Sequence, residues 1–316
     1  MCQLLRCSIT EHIKICSKYA MRMGLIIDGM DIRTGEKVVV WKRVIHGWDE
    51  MEDTLSKLGS RIQLNHPGWM PISGIYVNEN ETRLRVVTPV LNGSLENACK
   101  QNPDEWTPTK KSICIFGIAA IMAYMHSKDI LHCDLRPDNI FLNEKYEPCI
   151  GGFYPYNPAT VYSPAECMKV MYLGPPVIFA APDGWDEGYT RKYDVYAYAI
   201  LLYRMFTHEY VLENGQKLRD LHNIKISILK SISDGKRYMR DPAIPDAIWD
   251  LICRCWSQNP ADRPSFEEIT EELRRSPELW ALAGTDLDEL IEYQSRILSA
   301  KKDAVAECDA RVYTVE

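Results

Sequence analysis

His132-Cys133-Asp134-Leu135-Arg136-Pro137-Asp138-Asn139 places an aspartate five positions before an asparagine, pairing a proton acceptor with an amide that can ligate a metal ion. Downstream lies Gly151-Gly152-Phe153-Tyr154, a stretch that contains no acid. The segments on either side read as buried helices. Ile113, Phe116, Ala120 and Tyr124 mark an apolar face running to His126, before Lys128-Asp129 punctuates the chain. Gly117 inside that run costs some helix propensity. Ala199, Leu202, Tyr203 and Phe206 repeat in the same way after Asp194.

The octet resembles the catalytic loop of eukaryotic protein kinases. Other segments follow the same family in order. Thr34-Gly35-Glu36-Lys37-Val38-Val39-Val40-Trp41-Lys42 looks like the strand carrying the ATP-tethering lysine, and Asn65-His66-Pro67 like the turn after the first helix. Asn92-Gly93-Ser94-Leu95 stands at the hinge, Ala181-Pro182-Asp183 at the family's Ala-Pro-Glu, and Asp194 to Tyr203 at its core helix. Cys255-Trp256 through Arg263-Pro264-Ser265-Phe266 resembles the closing motif of the tyrosine-kinase-like serine/threonine group. The resemblance implies an α+β, bilobal fold with a small β-rich N-lobe and a larger, mainly α-helical C-lobe. It covers residues 19–275, with the N-lobe at about 19–91 and the C-lobe at about 92–275. Residues 1–18 are then a leader and 276–316 a C-terminal helical extension.

Composition bounds the remaining possibilities. The 316 residues can bury a large core, and a net charge of −7 argues against nucleic acid or a polybasic membrane arm. Eleven cysteines lie scattered without zinc-like spacing or a disulfide framework, which suits reduced thiols and a cytoplasmic setting. No secretory signal is visible, and no apolar run reaches the roughly 18 residues that span a bilayer. Acylation at Cys2 or Cys7 would anchor only marginally.

Val38 to Val44 reads as a strand. Glu50 to Leu64 reads as a helix with Met51, Leu55, Leu58 and Ile62 on one face. Near the end, Thr285 with Asp288, and Asp286 and Glu289 nearby, reads as a capped helix start, followed by Leu287, Leu290, Ile291, Ile297, Leu298, Val305 and Cys308. That helix is expected to fold back on the large lobe, the alternative being a coiled coil with a partner.

By resemblance, Asp134 is the catalytic base, Arg136 a supporting cation, and Asn139 a nucleotide and metal residue. Lys42 faces the α and β phosphates, the alternative being a solvent-facing lysine beside Arg43. The phosphate-covering loop maps onto Tyr19 to Gly24 and keeps only Gly24, although glycine lets backbone N–H groups approach phosphate closely. The helix glutamate that should hold Lys42 falls near Lys57, with Glu50 and Glu52 as the nearest acids. The metal-triplet aspartate is replaced by Gly152. His132 and Asp194 are read as structural, and Asp183 with Arg263 as a buried ion pair. Cys133 replaces an arginine that binds activation-segment phosphate, although Thr160, Tyr162 and Ser163 lie in that segment. Pro175-Pro176 replaces a substrate-docking Gly-Thr. The gatekeeper position falls on Val87 or Thr88.

These departures imply possible but weakened ATP binding and an incomplete magnesium site. A pseudokinase acting as scaffold or allosteric partner of a protein, such as an active kinase or signalling complex, is the leading expectation. An active ATP-dependent serine/threonine kinase with non-standard metal binding is the alternative. A small-molecule phosphotransferase is disfavoured by the Arg263 to Phe266 closure.

Overall fold

The computed structural model describes residues 5–6, 13–21, 24–32, 34–44, 48–62, 64, 66–78, 83–100, 105–152, 177–179, 181–185, 190–207, 210–213, 215, 217–218, 226–300 and 311–315. Two compact units emerge. One takes its described residues from Met1–Asn92 and Asp303–Glu316, the other from Gly93–Gly152 and Tyr156–Lys302.

In the first unit the strands are β1 (Leu5–Arg6), β2 (Ile13–Met21), β3 (Gly24–Asp31), β4 (Lys37–Val44), β5 (Gly74–Asn78) and β6 (Arg83–Pro89), with helix α1 (Trp48–Ile62) between β4 and β5. With β11 (Arg311–Val315) they form one sheet in the order β1-β11-β5-β6-β4-β3-β2. The strands from β5 to β2 pair antiparallel. β11 runs parallel to both β5 and β1. The sheet thus takes β1 and the start of β2 from the segment expected as a leader. Its central positions Val38, Val40, Val86, Val87 and Thr88 are buried. On α1 the buried stripe is Met51, Thr54, Leu58 and Arg61, while Leu55 is only half-buried. The three-four-three spacing keeps these four on one helical face.

The second unit holds α2 (Leu95–Ala98), α3 (Pro108–Ser127), β7 (Ile140–Leu142), β8 (Pro148–Ile150), α4 (Arg191–Phe206), β9 (Tyr210–Val211), β10 (Lys217–Leu218), α5 (Ile226–Ser233), α6 (Asp246–Cys255), α7 (Phe266–Arg275), α8 (Pro277–Trp280) and α9 (Leu287–Ser299). Thr107 caps α3, accepting from the Lys110 amide at 3.4 Å, and Pro108 takes a first-turn position where no N–H is needed. Every residue from Ser112 to His126 is buried, so α3 is a central helix rather than one with a single apolar face. Ser265 and Glu268 form a reciprocal capping box on α7, with contacts of 3.2 and 2.7 Å. The backbone and side-chain hydrogen bonds from Ser265 hold the Glu268 carboxyl below its ordinary range.

Residues 276–316, expected as a helical extension, contain α8 and α9 and then the strand β11. The cap of α9 is Asp286, which accepts from the Glu289 amide at 3.1 Å. Thr285 instead meets Ser112 at 2.9 Å, tying the entry of α9 to α3. The buried stripe of α9 is Leu290, Tyr293, Gln294 and Ile297, leaving Leu287 and Ile291 exposed. Gln294 belongs to this stripe because its amide reaches the Leu273 carbonyl at 3.4 Å. The helix packs on α3, as a helix folded back on the large lobe does. Tyr293 enters the place where a side chain at Gly117 would stand. Among the described residues, no helix is long and apolar enough to cross a membrane.

Candidate active site

Asp194, in the first turn of α4, organises the loop His132–Asn139. Its carboxylate accepts from the His132 amide at 2.9 Å, the Cys133 amide at 2.8 Å and the His126 ring at 2.9 Å. Burial alone would raise this carboxyl, but the His126 hydrogen bond and charge, with the His132 amide, hold it below its ordinary value. Cys133 is buried with φ of +65°, a left-handed conformation that costs energy without glycine. Two consecutive amides anchored on one carboxylate hold that turn in place. His132 accepts from the Asp134 amide through Nδ1 at 3.2 Å and donates through Nε2 to the Gly151 carbonyl at 2.7 Å. These bonds define a neutral imidazole that joins the loop to β8.

The loop presents Asp134 between an amide donor and a guanidinium. Asn139 Nδ2 donates to its Oδ2 at 2.7 Å and to its carbonyl at 2.8 Å. Arg136 Nε stands 3.3 Å from Oδ1, with the guanidinium almost wholly covered. Asp138 is exposed, 3.9 Å from the same guanidinium. Asn139 spends its amide nitrogen on Asp134, so its side-chain oxygen is the donor atom left for a cation. The Gly151 amide also bonds the Asn139 carbonyl at 2.8 Å. Asp134, Arg136, Asn139 and Gly152 are therefore neighbours in one hydrogen-bonded loop system.

Gly152 has φ of +102°, and a Cβ there would lie 3.0 Å from two atoms of the His132 ring and 3.7 Å from Asn139 Nδ2. This position carries no carboxylate to set opposite the side-chain oxygen of Asn139. Among the described residues, no group of three or more His, Cys, Asp or Glu could hold a metal ion.

Below the loop, Arg263 grips Asp183 in a two-pronged ion pair, with contacts of 2.6 and 3.3 Å. It also donates to the carbonyls of Ser257 at 2.9 Å and Lys192 at 3.0 Å, and its guanidinium lies over the Tyr196 ring. With its side chain fully enclosed, this arginine is satisfied on every side.

In the first unit, Lys42 is half-buried on the central strand β4, paired in register with Leu25 on β3 and Arg85 on β6. Gly24 opens β3 opposite Met21, at the tip of the β2–β3 hairpin, and Tyr19 lies on β2 opposite Ile26. Register also separates the two gatekeeper candidates. Val87 pairs with Val40 and so shares the sheet face of Lys42, whereas Thr88 pairs with Val39 and accepts from the Trp41 indole at 3.0 Å. On α1, Glu52 is exposed, and among the described side chains of that helix the buried polar ones are Thr54 and Arg61. Sequence reading missed these two residues. The signal was present in their spacing from Met51 and Leu58. Phe153, Tyr154, Thr160, Tyr162, Ser163, Pro175 and Pro176 lie outside the described residues.

A pinned His-x-Asp-x-x-x-x-Asn loop, a lysine on a central strand and a buried Asp–Arg pair now stand together with a sequence match. The family model for protein tyrosine and serine/threonine kinases matches residues 23–273. The chain belongs to the protein kinase family. The kinase domain resembles curated relatives only distantly. It is 28% identical over 218 residues to the RGS domain-containing serine/threonine-protein kinase A of Dictyostelium discoideum, covering 67% of this chain and 18% of that protein. It is likewise 28% identical over 216 residues to the serine/threonine-protein kinase PkaA of Streptomyces coelicolor, covering 67% and 37%. Against the tyrosine-protein kinase receptor TYRO3 of Danio rerio it is 24% identical over 261 residues, covering 78% and 28%. The chain thus matches well under half the length of each of these relatives. The kinase family in general uses ATP as phosphoryl donor and magnesium as its cofactor.

Proposed function

We propose that this kinase domain is a pseudokinase of the tyrosine-kinase-like group, with weak or no phosphotransfer, that works in the cytoplasm as a scaffold or allosteric partner of another signalling protein. The observation that carries this reading is Gly152. A glycine at φ +102°, close against His132, stands where the family needs its metal carboxylate. Phosphoryl transfer depends on positioning and on neutralising charge, and a metal supplies several kcal/mol of that. A loss of about 5 kcal/mol corresponds to a rate lower by roughly 10³ to 10⁴. Two features of the first unit support the same reading. Glu52 is exposed while the described buried stripe of α1 is Met51, Thr54, Leu58 and Arg61, and the hairpin tip keeps Gly24 alone of the three glycines. The expected consequence is weakened ATP binding.

The alternative, an active serine/threonine kinase using non-standard metal binding, is favoured by the intact Asp134–Asn139 hydrogen bond and by Lys42 on its central strand. Thermal shift with ATP, with and without magnesium, followed by phosphate transfer in wild type and Asp134→Ala, separates the two. The proposal expects no magnesium-dependent shift and no transfer that depends on Asp134. A shift and an Asp134-dependent transfer together establish the alternative.

A further inference from the structure

Strand β5 has the character of an interior strand. Ile75, Tyr76 and Val77 are successive residues, each 1% exposed, although neighbouring strand residues face opposite sides of a sheet. Both faces of β5 are therefore covered. β6 takes one of its edges, and the other is taken by β11, which returns from the far end of the chain. The pairing is complete along the strand, from Arg311 opposite Gly74 to Val315 opposite Asn78. β1 adds only Leu5 and Arg6 outside it. The sequence Arg-Val-Tyr-Thr-Val supplies the β-branched and aromatic residues that extended backbone favours. An apolar strand left with a bare edge is a template for pairing with another chain.

We propose that the β5 edge is an acceptor site for an extended peptide strand, and that Arg311–Val315 fills it in cis. The ligand class is a short segment of β-branched and aromatic residues running parallel to β5, recognised through its backbone amides and carbonyls. In the intact chain the tail is the resident strand, and a partner's strand gains access only by displacing it. This inference does not depend on whether the kinase domain transfers phosphate.

Hydrogen exchange at the amides of Gly74–Asn78 tests it in three states: the full chain, a chain ending at Ala300, and the shortened chain with a synthetic Asp309–Glu316 peptide. The expected result is protection in the full chain, exchange about tenfold or more faster at the edge-facing amides of the shortened chain, and recovery with the peptide but not with a scrambled one. Val312→Pro and Tyr313→Pro in the full chain keep the test decisive if the shortened chain fails to fold. Adjacent residues direct their amides to opposite edges, so at least one of the two prolines removes a donor facing β5. The proposal is overturned if β5 exchanges equally fast in the full and shortened chains, if the peptide restores nothing to a folded shortened chain, or if neither proline alters protection.

Discussion

The hydroxyl of Tyr293 lies 2.2 Å from the point where a Cβ on Gly117 would stand, and the Pro148 ring lies 2.6 Å from the same point. A glycine inside the central helix of the large lobe is thus the seat of a side chain from α9. Replacing it by alanine would gain roughly 1 kcal/mol of helix propensity. Overpacking against a tyrosine ring and a proline ring costs about 1–3 kcal/mol, and neither ring can yield as a flexible chain end would. Gly117→Ala is therefore expected to lower stability in denaturant titration. Tyr293→Phe should be close to neutral, because that hydroxyl is buried with no hydrogen-bond partner among the described residues. Gly117→Ala combined with Tyr293→Leu should be less damaging than the sum of the two single changes.

Asp194 gives the fold an acid-sensitive point. Its carboxyl is held below the ordinary 3.8, so its contribution is fully present at neutral pH and is lost as pH falls below about 4. Asp194→Asn should cost about 3–5 kcal/mol at pH 7, since the buried donors from His126, His132 and Cys133 lose their anion. Urea midpoints measured from pH 3 to 7 should show a steeper acid decline for wild type than for the variant.

The ion pair of Asp183 and Arg263 should behave as a unit. Asp183→Ala strands an enclosed guanidinium and is expected to destabilise by about 3–5 kcal/mol. The double change Asp183→Ala with Arg263→Met removes both charges and should lose less than the two single changes summed. Chemical denaturation of the four proteins measures that coupling directly.

On the proposed reading, an acid placed at Gly152 should not by itself produce an active kinase. In Gly152→Asp the new side chain meets the His132 ring at 3.0 Å from a backbone angle that L-residues rarely adopt. A cost of about 1–3 kcal/mol is expected, read as a lower melting temperature. Phosphate transfer should stay near background, since the hairpin tip and α1 are unchanged. A large gain in transfer by this single variant would mean that Gly152 is the only defect.

Much of the large lobe was legible in the sequence because its anchors are charged residues at fixed spacings. His132, Asp194, Asp183 and Arg263 stand where their motifs put them, each held by partners that short-range pattern can suggest. The helix after Thr285 was legible too, but its cap fell one residue later, at Asp286, because Thr285 is drawn to Ser112 on α3. Long-range packing was illegible. Nothing local in α3 reveals that Gly117 receives Tyr293, and an apolar stripe that counts only hydrophobic residues passes over Thr54, Arg61 and Gln294. The strand at Arg311–Val315 was hidden for the same reason. Its local composition favours extension, but its partner β5 lies far earlier in the sequence, before the whole of the large lobe.

That pairing has a consequence during synthesis. The small sheet takes strands from sequence both before and after the segments that form the large lobe. At roughly 5–20 residues per second, β5 leaves the ribosome on the order of ten to fifty seconds before β11 exists. Throughout that interval a nascent chain carries Ile75-Tyr76-Val77 with one edge bare, so the newborn protein is most exposed to self-association, and to chaperones, in the part of the fold that began first.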